Sequence, residues 1–163
     1  MSASKLPRAT DCQIPIRRSR IEFNRDYTRI APESSPSQPP VKPLFRNLDK
    51  VEPFITKDGS EIRELLAHRN SVIRKQSLAE ARLPVGASTQ EHYHAATEEI
   101  YYITRGVGRI RIGEELREVG EGDAIAIPPG RKHQIWNSGS EPLRFLCCCA
   151  PGYEHADTFL TEI

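Results

Sequence analysis

Three histidines and one glutamate have a spacing that could bring metal-binding side chains together. His92 and His94 flank one residue, Glu99 follows after four more, and His133 comes later, behind a Pro-Pro-Gly segment. Residues two apart on a strand face the same way, so the imidazoles of His92 and His94 would share a face. A turn through residues 95–97 would return the chain antiparallel and place Glu99 opposite them. Three imidazoles and one carboxylate that converge in the interior of one barrel would form a site for a divalent Mn, Fe, Co, Ni, Cu or Zn ion.

The neighbouring Glu98 competes with Glu99 for the carboxylate position. Alternation from Tyr101 and Ile103 turns Glu99 inward and Glu98 to the opposite face. We therefore predict Glu99 as the ligand. The alternative is that the four residues serve only in packing.

The elements that must position these side chains are short strands. From about Asp49 onward the sequence alternates between apolar and polar residues and is interrupted by glycine turns, and no stretch of useful length has a helical period. Closely spaced strands without helices indicate an antiparallel sandwich or barrel. The predicted strands are Glu61–Leu66, Arg74–Leu83, Glu91–His94, Glu98–Thr104, Gly108–Ile112, Leu116–Val119, Asp123–Ile127, His133–Asn137 and Leu143–Cys149.

Two sequence motifs around these residues resemble those of the cupin superfamily. The first is Gly86-(five residues)-His92-x-His94-(four)-Glu99-(six)-Gly106, and the second is Gly122-(five)-Pro128-x-Gly130-(two)-His133-(three)-Asn137. Every signature position is filled, and the strand pattern extends the resemblance over roughly residues 49–153. Together, two complete motifs in the right order are far more specific than a lone His-x-His pair.

The resemblance implies a fold, a ligand set and an assembly. The expected fold is all-β, a double-stranded β-helix or jelly-roll barrel over residues 49–163, preceded by an N-terminal arm over residues 1–48. The positions matching His92, His94, Glu99 and His133 are metal ligands in the family, which implies one divalent metal ion per subunit. Trp136 should face away from the metal, where such proteins often form a homodimer interface.

Alternation along the strands also predicts the lining of the pocket. Tyr101 shares a face with Glu99 and is the best candidate for a hydrogen bond or a proton donor beside the metal, although the role of an aromatic residue that only fills the barrel is favoured for it. Cys147 and Cys149 could be redox-sensitive or small buried hydrophobes. The predicted lining is mostly apolar and comprises Ala81, Ile103, Ile135, Phe145 and Cys147.

A metal within apolar walls suggests chemistry on a small organic molecule. Four protein ligands leave two positions of an octahedral ion open, which suits an anion that binds through two oxygens, such as a 2-oxo acid, a hydroxy acid, an enolate or oxalate. Oxygenase or other oxidoreductase chemistry is slightly favoured, because apolar walls exclude water. Non-redox Lewis-acid chemistry, by an isomerase, decarboxylase or lyase, is the alternative. A non-catalytic module that binds a small anion also stays open.

The N-terminal segment differs in composition from the rest. Residues 1–46 hold nine basic and four acidic side chains, a net charge of +5, and seven of the 13 prolines. This composition predicts an extended or disordered arm. Its Arg17-Arg18-Ser-Arg20 run fits a solvated tail better than a phosphate contact. A third possibility is that Ile14, Ile16, Ile21 and Phe23 pair as an edge strand with a partner subunit.

Composition and charge limit the partners and the location. The formal net charge of the whole chain is +1, which gives no argument for a nucleic-acid partner. No stretch approaches the ~20 apolar residues that a membrane-spanning helix needs. The N-terminus lacks the apolar run of a secretory signal, and adjacent cysteines at 147–149 favour reduced thiols. We therefore expect a cytoplasmic protein.

Overall fold

A computed structural model describes residues 42–161, and in this part of the chain almost all regular structure is β. Two short 3-10 turns, Leu48–Lys50 and His155–Asp157, lie before the first strand and before the last. The strands are β1 (Phe54–Ile55), β2 (Glu61–Leu66), β3 (Ser77–Leu83), β4 (His92–His94), β5 (Glu98–Arg105), β6 (Val107–Ile112), β7 (Glu115–Gly120), β8 (Ala124–Ile127), β9 (His133–Asn137), β10 (Leu143–Ala150) and β11 (Thr158–Leu160).

These strands form two antiparallel sheets that enclose the core. The first sheet has the order β1-β2-β3-β10-β5-β8, and the second has the order β11-β4-β9-β6-β7. Along β10 buried and half-buried residues alternate without a break, as expected for a strand with one face toward the core. The apolar core is contributed by both sheets: Ile62, Ala81, Leu83, Tyr101, Ile103, Ile110, Val119, Ile127, Ile135, Leu143, Phe145 and Cys147.

The predicted all-β barrel is confirmed, and the strands differ from the prediction mainly at their ends. The third strand begins at Ser77 rather than Arg74, because the preceding residues form a turn in which the Arg74 guanidinium donates to the Ser71 carbonyl. The sequence pattern missed β1 and β11, which have two and three residues and are too short to show alternation.

One close backbone approach explains why glycine occupies position 108. A Cβ there would lie 2.8 Å from Leu143 Cδ2 and 2.9 Å from the Trp136 carbonyl oxygen, closer than packed carbon atoms allow. Gly108 pairs with Asn137 on β9, so this contact keeps β6 and β9 close beneath the first sheet.

Glu80 faces away from the barrel interior but is buried nevertheless. Its strand is central, and the register places Glu80 between Arg63 of β2 and Leu146 of β10. Alternation alone predicts the face of a residue and not whether that face is covered.

The predicted N-terminal arm, residues 1–48, falls largely outside the described residues, and with it the Arg17-Arg18-Ser-Arg20 run. The division between arm and barrel stays a prediction. Within residues 42–161 no helix has the length and apolar character to cross a membrane.

Candidate metal centre

The four predicted ligand residues come from three strands of the two sheets. Strand β4 supplies His92 and His94, β9 supplies His133 directly opposite His92, and β5 supplies Glu99 from the facing sheet. All four side chains are buried, and one ligand atom from each lies within 4.8 Å of the others. The structure thus brings together residues that are far apart in the sequence.

Each histidine ring has a partner at Nδ1, on the side away from the cluster. His92 Nδ1 lies 2.8 Å from the Gln90 carbonyl oxygen, and His133 Nδ1 lies 3.0 Å from that of Arg131. A carbonyl oxygen only accepts, so both rings must carry a hydrogen on Nδ1 and leave the Nε2 lone pair free for a metal. These two rings are therefore oriented by backbone two residues earlier in their own segments.

The Glu99 carboxylate lies at the centre of the cluster. Its Oε2 atom is 3.3 Å from His94 Nε2 and 3.5 Å from His133 Nε2. The other oxygen, Oε1, accepts from the Cys149 thiol at 3.3 Å. Both Glu99 Oε2 and His133 Nε2 are buried and make no hydrogen bond. A buried polar atom without a partner is costly, and a bound cation would remove that cost.

The electrostatics of the cluster follow from burial and from mutual contact. Burial opposes ionisation of Glu99, but its contacts with His133 and His94 outweigh this and hold the pKa of the carboxyl well below its ordinary value. Burial and the neighbouring His133 lower the pKa of His92. The pKa of His94 is raised, because Glu99 outweighs the opposing effect of burial.

A divalent cation fits this arrangement. Three imidazole nitrogens and one ionised carboxylate are the donors that first-row divalent metals take, and the ligand atoms are already gathered. Neutral imidazoles and one carboxylate would leave the bound ion with a local charge near +1. The residues present can therefore hold one divalent metal ion.

The cluster opens into a cavity whose wall includes His92, His94 and Glu99. Three of the predicted lining residues, Ala81, Phe145 and Cys147, are in its wall. Ile103 and Ile135 are fully buried in the core instead, because alternation predicts which way a side chain faces but not how deep it lies along the barrel. Burial raises the pKa of the Cys147 thiol well above its ordinary value, so this thiol stays protonated.

Tyr101 lies at the boundary between cavity and core. Its ring packs 4.6 Å from the Phe145 ring and 5.9 Å from the His133 ring, measured between centroids. Burial, followed by the charge of Glu99, raises the pKa of its hydroxyl well above the ordinary value. A neutral phenol at this position can donate a hydrogen bond to a bound molecule.

The sequence prediction missed a carboxylate beside the cluster. Asp58 lines the same cavity, and its Oδ2 is 3.9 Å from His92 Nε2. Its Oδ1 accepts from the Thr56 hydroxyl at 2.5 Å and from the Ser60 hydroxyl at 2.8 Å, which fixes the carboxylate and leaves Oδ2 facing the histidines. The only sequence signal was Asp58-Gly59, and this pair is fully accounted for by the turn that it forms.

Further polar groups are found at the edge of the cavity. Glu64 lines it and forms a two-pronged ion pair with Arg69, whose guanidinium also donates to the Tyr153 carbonyl at 3.0 Å. The Tyr153 ring, 6.0 Å from that of His94, completes this part of the wall. The cavity is thus less apolar than the alternation of the strands predicts.

Comparisons with known proteins give the same family. A family model described as a cupin domain matches residues 79–149. An uncharacterised protein of Methanocaldococcus jannaschii is 52% identical over 122 residues, which cover 75% of this chain and 98% of that protein.

Two solved structures have the same fold. One is that of a predicted oxalate decarboxylase from Thermotoga maritima, with 27% identity, a TM-score of 0.58 and coverage of 66% of this chain and 98% of that one. The polyketide cyclase RemF from Streptomyces resistomycificus has 22% identity, a TM-score of 0.62 and coverage of 72% and 84%. On the motifs, the barrel and these matches, the chain belongs to the cupin superfamily.

Proposed function

We propose that the chain is a metal-dependent enzyme that acts on a small organic molecule by non-redox chemistry, as an isomerase, a decarboxylase or a lyase. The observation that carries this proposal is the uncommitted Oδ2 of Asp58, 3.9 Å from His92 Nε2 and facing the same cavity. A fixed carboxylate next to a metal centre is suited to take a proton from a substrate and to return it.

The roles of the groups follow from their positions. A divalent ion held by His92, His94, Glu99 and His133 would supply Lewis acidity toward a substrate oxygen. Asp58 would hold or move the proton at Oδ2, while Thr56 and Ser60 keep its other oxygen in place. Tyr101 would donate a hydrogen bond from its neutral hydroxyl. We expect a substrate that offers two oxygen atoms, such as a hydroxy acid, a 2-oxo acid or an enolate.

The similarity to the Thermotoga maritima protein supports this class of chemistry, because that protein is described as a predicted oxalate decarboxylase. Oxygenase chemistry is the second candidate, and it is supported by the apolar part of the wall, where Ala79, Ala81 and Phe145 exclude water. Non-redox chemistry and oxygenase chemistry differ in their need for dioxygen. A homodimer and a cytoplasmic location stay predictions.

The direct test is proton exchange in deuterated water. Zn(II)-, Ni(II)- or Fe(II)-loaded protein is incubated under argon with a panel of small hydroxyketones, 2-oxo acids and hydroxy acids. Proton NMR then follows the loss of the hydrogen next to the carbonyl or carboxyl group. We expect exchange or turnover with all three metals, and at least a hundredfold loss in Asp58→Asn with metal affinity retained.

The exposed Asp49 provides the matched control, because Asp49→Asn makes the same chemical change at a residue that does not line the cavity. Activity that depends on dioxygen and on iron alone would favour the oxygenase alternative. Ligand-induced stabilisation without exchange across the panel would instead indicate a binding module.

A further inference from the structure

The last strand of the described chain lies directly beside the strand that carries two of the candidate ligands. Strand β11 pairs with β4 so that Thr158 is opposite His94 and Leu160 is opposite His92. The segment before it, which includes the 3-10 turn His155–Asp157, packs at the end of the β4–β5 connection. We call residues 154–161 the C-terminal clamp.

The clamp orients the one candidate ligand ring that is not held by its own segment. Thr158 Oγ1 is 3.3 Å from His94 Nδ1 and 3.2 Å from the Glu154 carbonyl oxygen. The hydroxyl has one hydrogen, and both contacts are hydrogen bonds when it points to the Glu154 carbonyl and Oγ1 accepts from His94 Nδ1–H. This arrangement leaves His94 Nε2 free toward Glu99. His92 and His133 obtain the same orientation from backbone carbonyls of their own segments, whereas the partners of the His94 ring, Thr158 Oγ1 and the Asp157 backbone, both belong to the clamp.

The clamp also holds the turn between His94 and Glu99. The Asp157 carboxylate accepts hydrogen bonds from three consecutive backbone amides, those of Ala95, Ala96 and Thr97, at 3.0 to 3.2 Å. These residues are the whole connection between β4 and β5. Because the acceptor is ionised, each bond is stronger than one between neutral groups. The distance from His94 Nε2 to Glu99 Oε2, 3.3 Å, is therefore set at the turn as well as by the sheets.

We propose that Asp157 and Thr158 are positioning residues of the metal centre, acting through His94 and through the turn that spaces His94 from Glu99. The inference rests on the proposed metal site and adds two residues that lie outside both sequence motifs. Partners of metal-bound histidines typically contribute about 10- to 100-fold to metal affinity. We expect a loss of this size for Thr158→Val and a smaller loss, about fivefold to tenfold, for Asp157→Asn, which keeps one acceptor oxygen.

The test measures Co(II) and Zn(II) affinity of the full chain by competition with a chromophoric chelator, together with the visible spectrum of the Co(II) form. Thr158→Ser keeps the hydroxyl, so its metal affinity and its Co(II) spectrum should match those of the wild type. Thr161→Val is the matched control, because the Thr161 hydroxyl bonds the same clamp to Glu91 and its hydrogen bonds go to no candidate ligand residue. Its metal affinity should stay within twofold of the wild type.

Amide hydrogen exchange in the metal-free protein provides a second readout that does not depend on the metal. The amides of residues 95–97 should be protected in the wild type and should exchange at least tenfold faster in Asp157→Asn. If wild-type protein binds no metal, the proposed function fails while this exchange still tests the clamp.

Three results would overturn the proposed positioning role of Asp157 and Thr158. The first is unchanged protection of residues 95–97 in Asp157→Asn, and the second is an affinity of Thr158→Val within twofold of the wild type. The third is a metal affinity of Thr158→Ser that is as low as that of Thr158→Val. If Thr158→Val does not fold, Asp157→Asn carries the test alone.

Discussion

Replacing Glu99 by glutamine removes the negative charge from the one carboxylate among the four candidate ligands while preserving its shape. The side chain is buried, 5% exposed, and its Oε2 lies within 3.5 Å of the Nε2 atoms of His94 and His133. Glutamine keeps a carbonyl oxygen that can accept from the Cys149 thiol. The change therefore tests the charge more than the packing.

The expected loss of metal affinity can be worked from the geometry. An oxygen ligand lies about 2.1 Å from a bound divalent ion. Even with the dielectric constant of bulk water, the attraction between the ion and one full negative charge at that distance is about 4 kcal/mol, or roughly a thousandfold in Kd. The amide dipole of glutamine offsets part of this. We therefore expect affinity to fall by roughly a hundredfold to a thousandfold.

The assay is competition between the protein and a chromophoric chelator for Zn(II) or Co(II), with circular dichroism to confirm folding. Glu98→Gln is the matched control, because the same change occurs one residue away on the exposed face of β5. Its affinity should equal that of the wild type. If Glu99→Gln binds within threefold of the wild type, or if both variants lose affinity equally, Glu99 does not act as a charged ligand.

Three further predictions follow from the same structure. Metal affinity should rise as the pH rises through the raised pKa of His94, because the bound ion displaces the imidazole proton. In metal-free protein the stability contributed by ionised Glu99 is complete above pH 4.5 and declines on acidification toward its lowered pKa. Titrations of metal affinity and of urea unfolding from pH 3 to 9 check both signs. Tyr101→Phe keeps the ring packing and should change neither metal affinity nor the free energy of unfolding by more than about 1 kcal/mol, while slowing the proton exchange proposed above. Gly108→Ala forces a Cβ to 2.8 Å from Leu143 Cδ2 and should lower the free energy of unfolding by about 1–3 kcal/mol in urea titration.

Much of the barrel could be predicted because strand periodicity and glycine turns are local signals. The strands Glu61–Leu66 and His133–Asn137 have the predicted bounds, and every other predicted strand is present with small shifts at its ends. The missed strands are short and form through pairing with distant strands. Phe54–Ile55 is added to β2, and Thr158–Leu160 is added to β4. No local pattern encodes such a contact.

The residues of the candidate site likewise fall into those that local sequence signals predict and those that they do not. The four candidate ligand residues could be predicted as a group because they sit at fixed spacings within two motifs, and the alternation of β5 correctly predicted that Glu99 is buried and Glu98 exposed. Asp58 and Thr158 were missed because their roles depend on which strands meet in three dimensions. Their own segments show only a turn and a short run of apolar residues.

The proposed metal site is tested most directly by the metal content of the protein as purified from cells, measured by inductively coupled plasma mass spectrometry for the wild type, His92→Ala and Glu99→Ala. We expect about one divalent ion per chain in the wild type and a large loss in both variants. A wild-type protein that carries no more metal than the two variants, and takes up none when it is supplied, would contradict it.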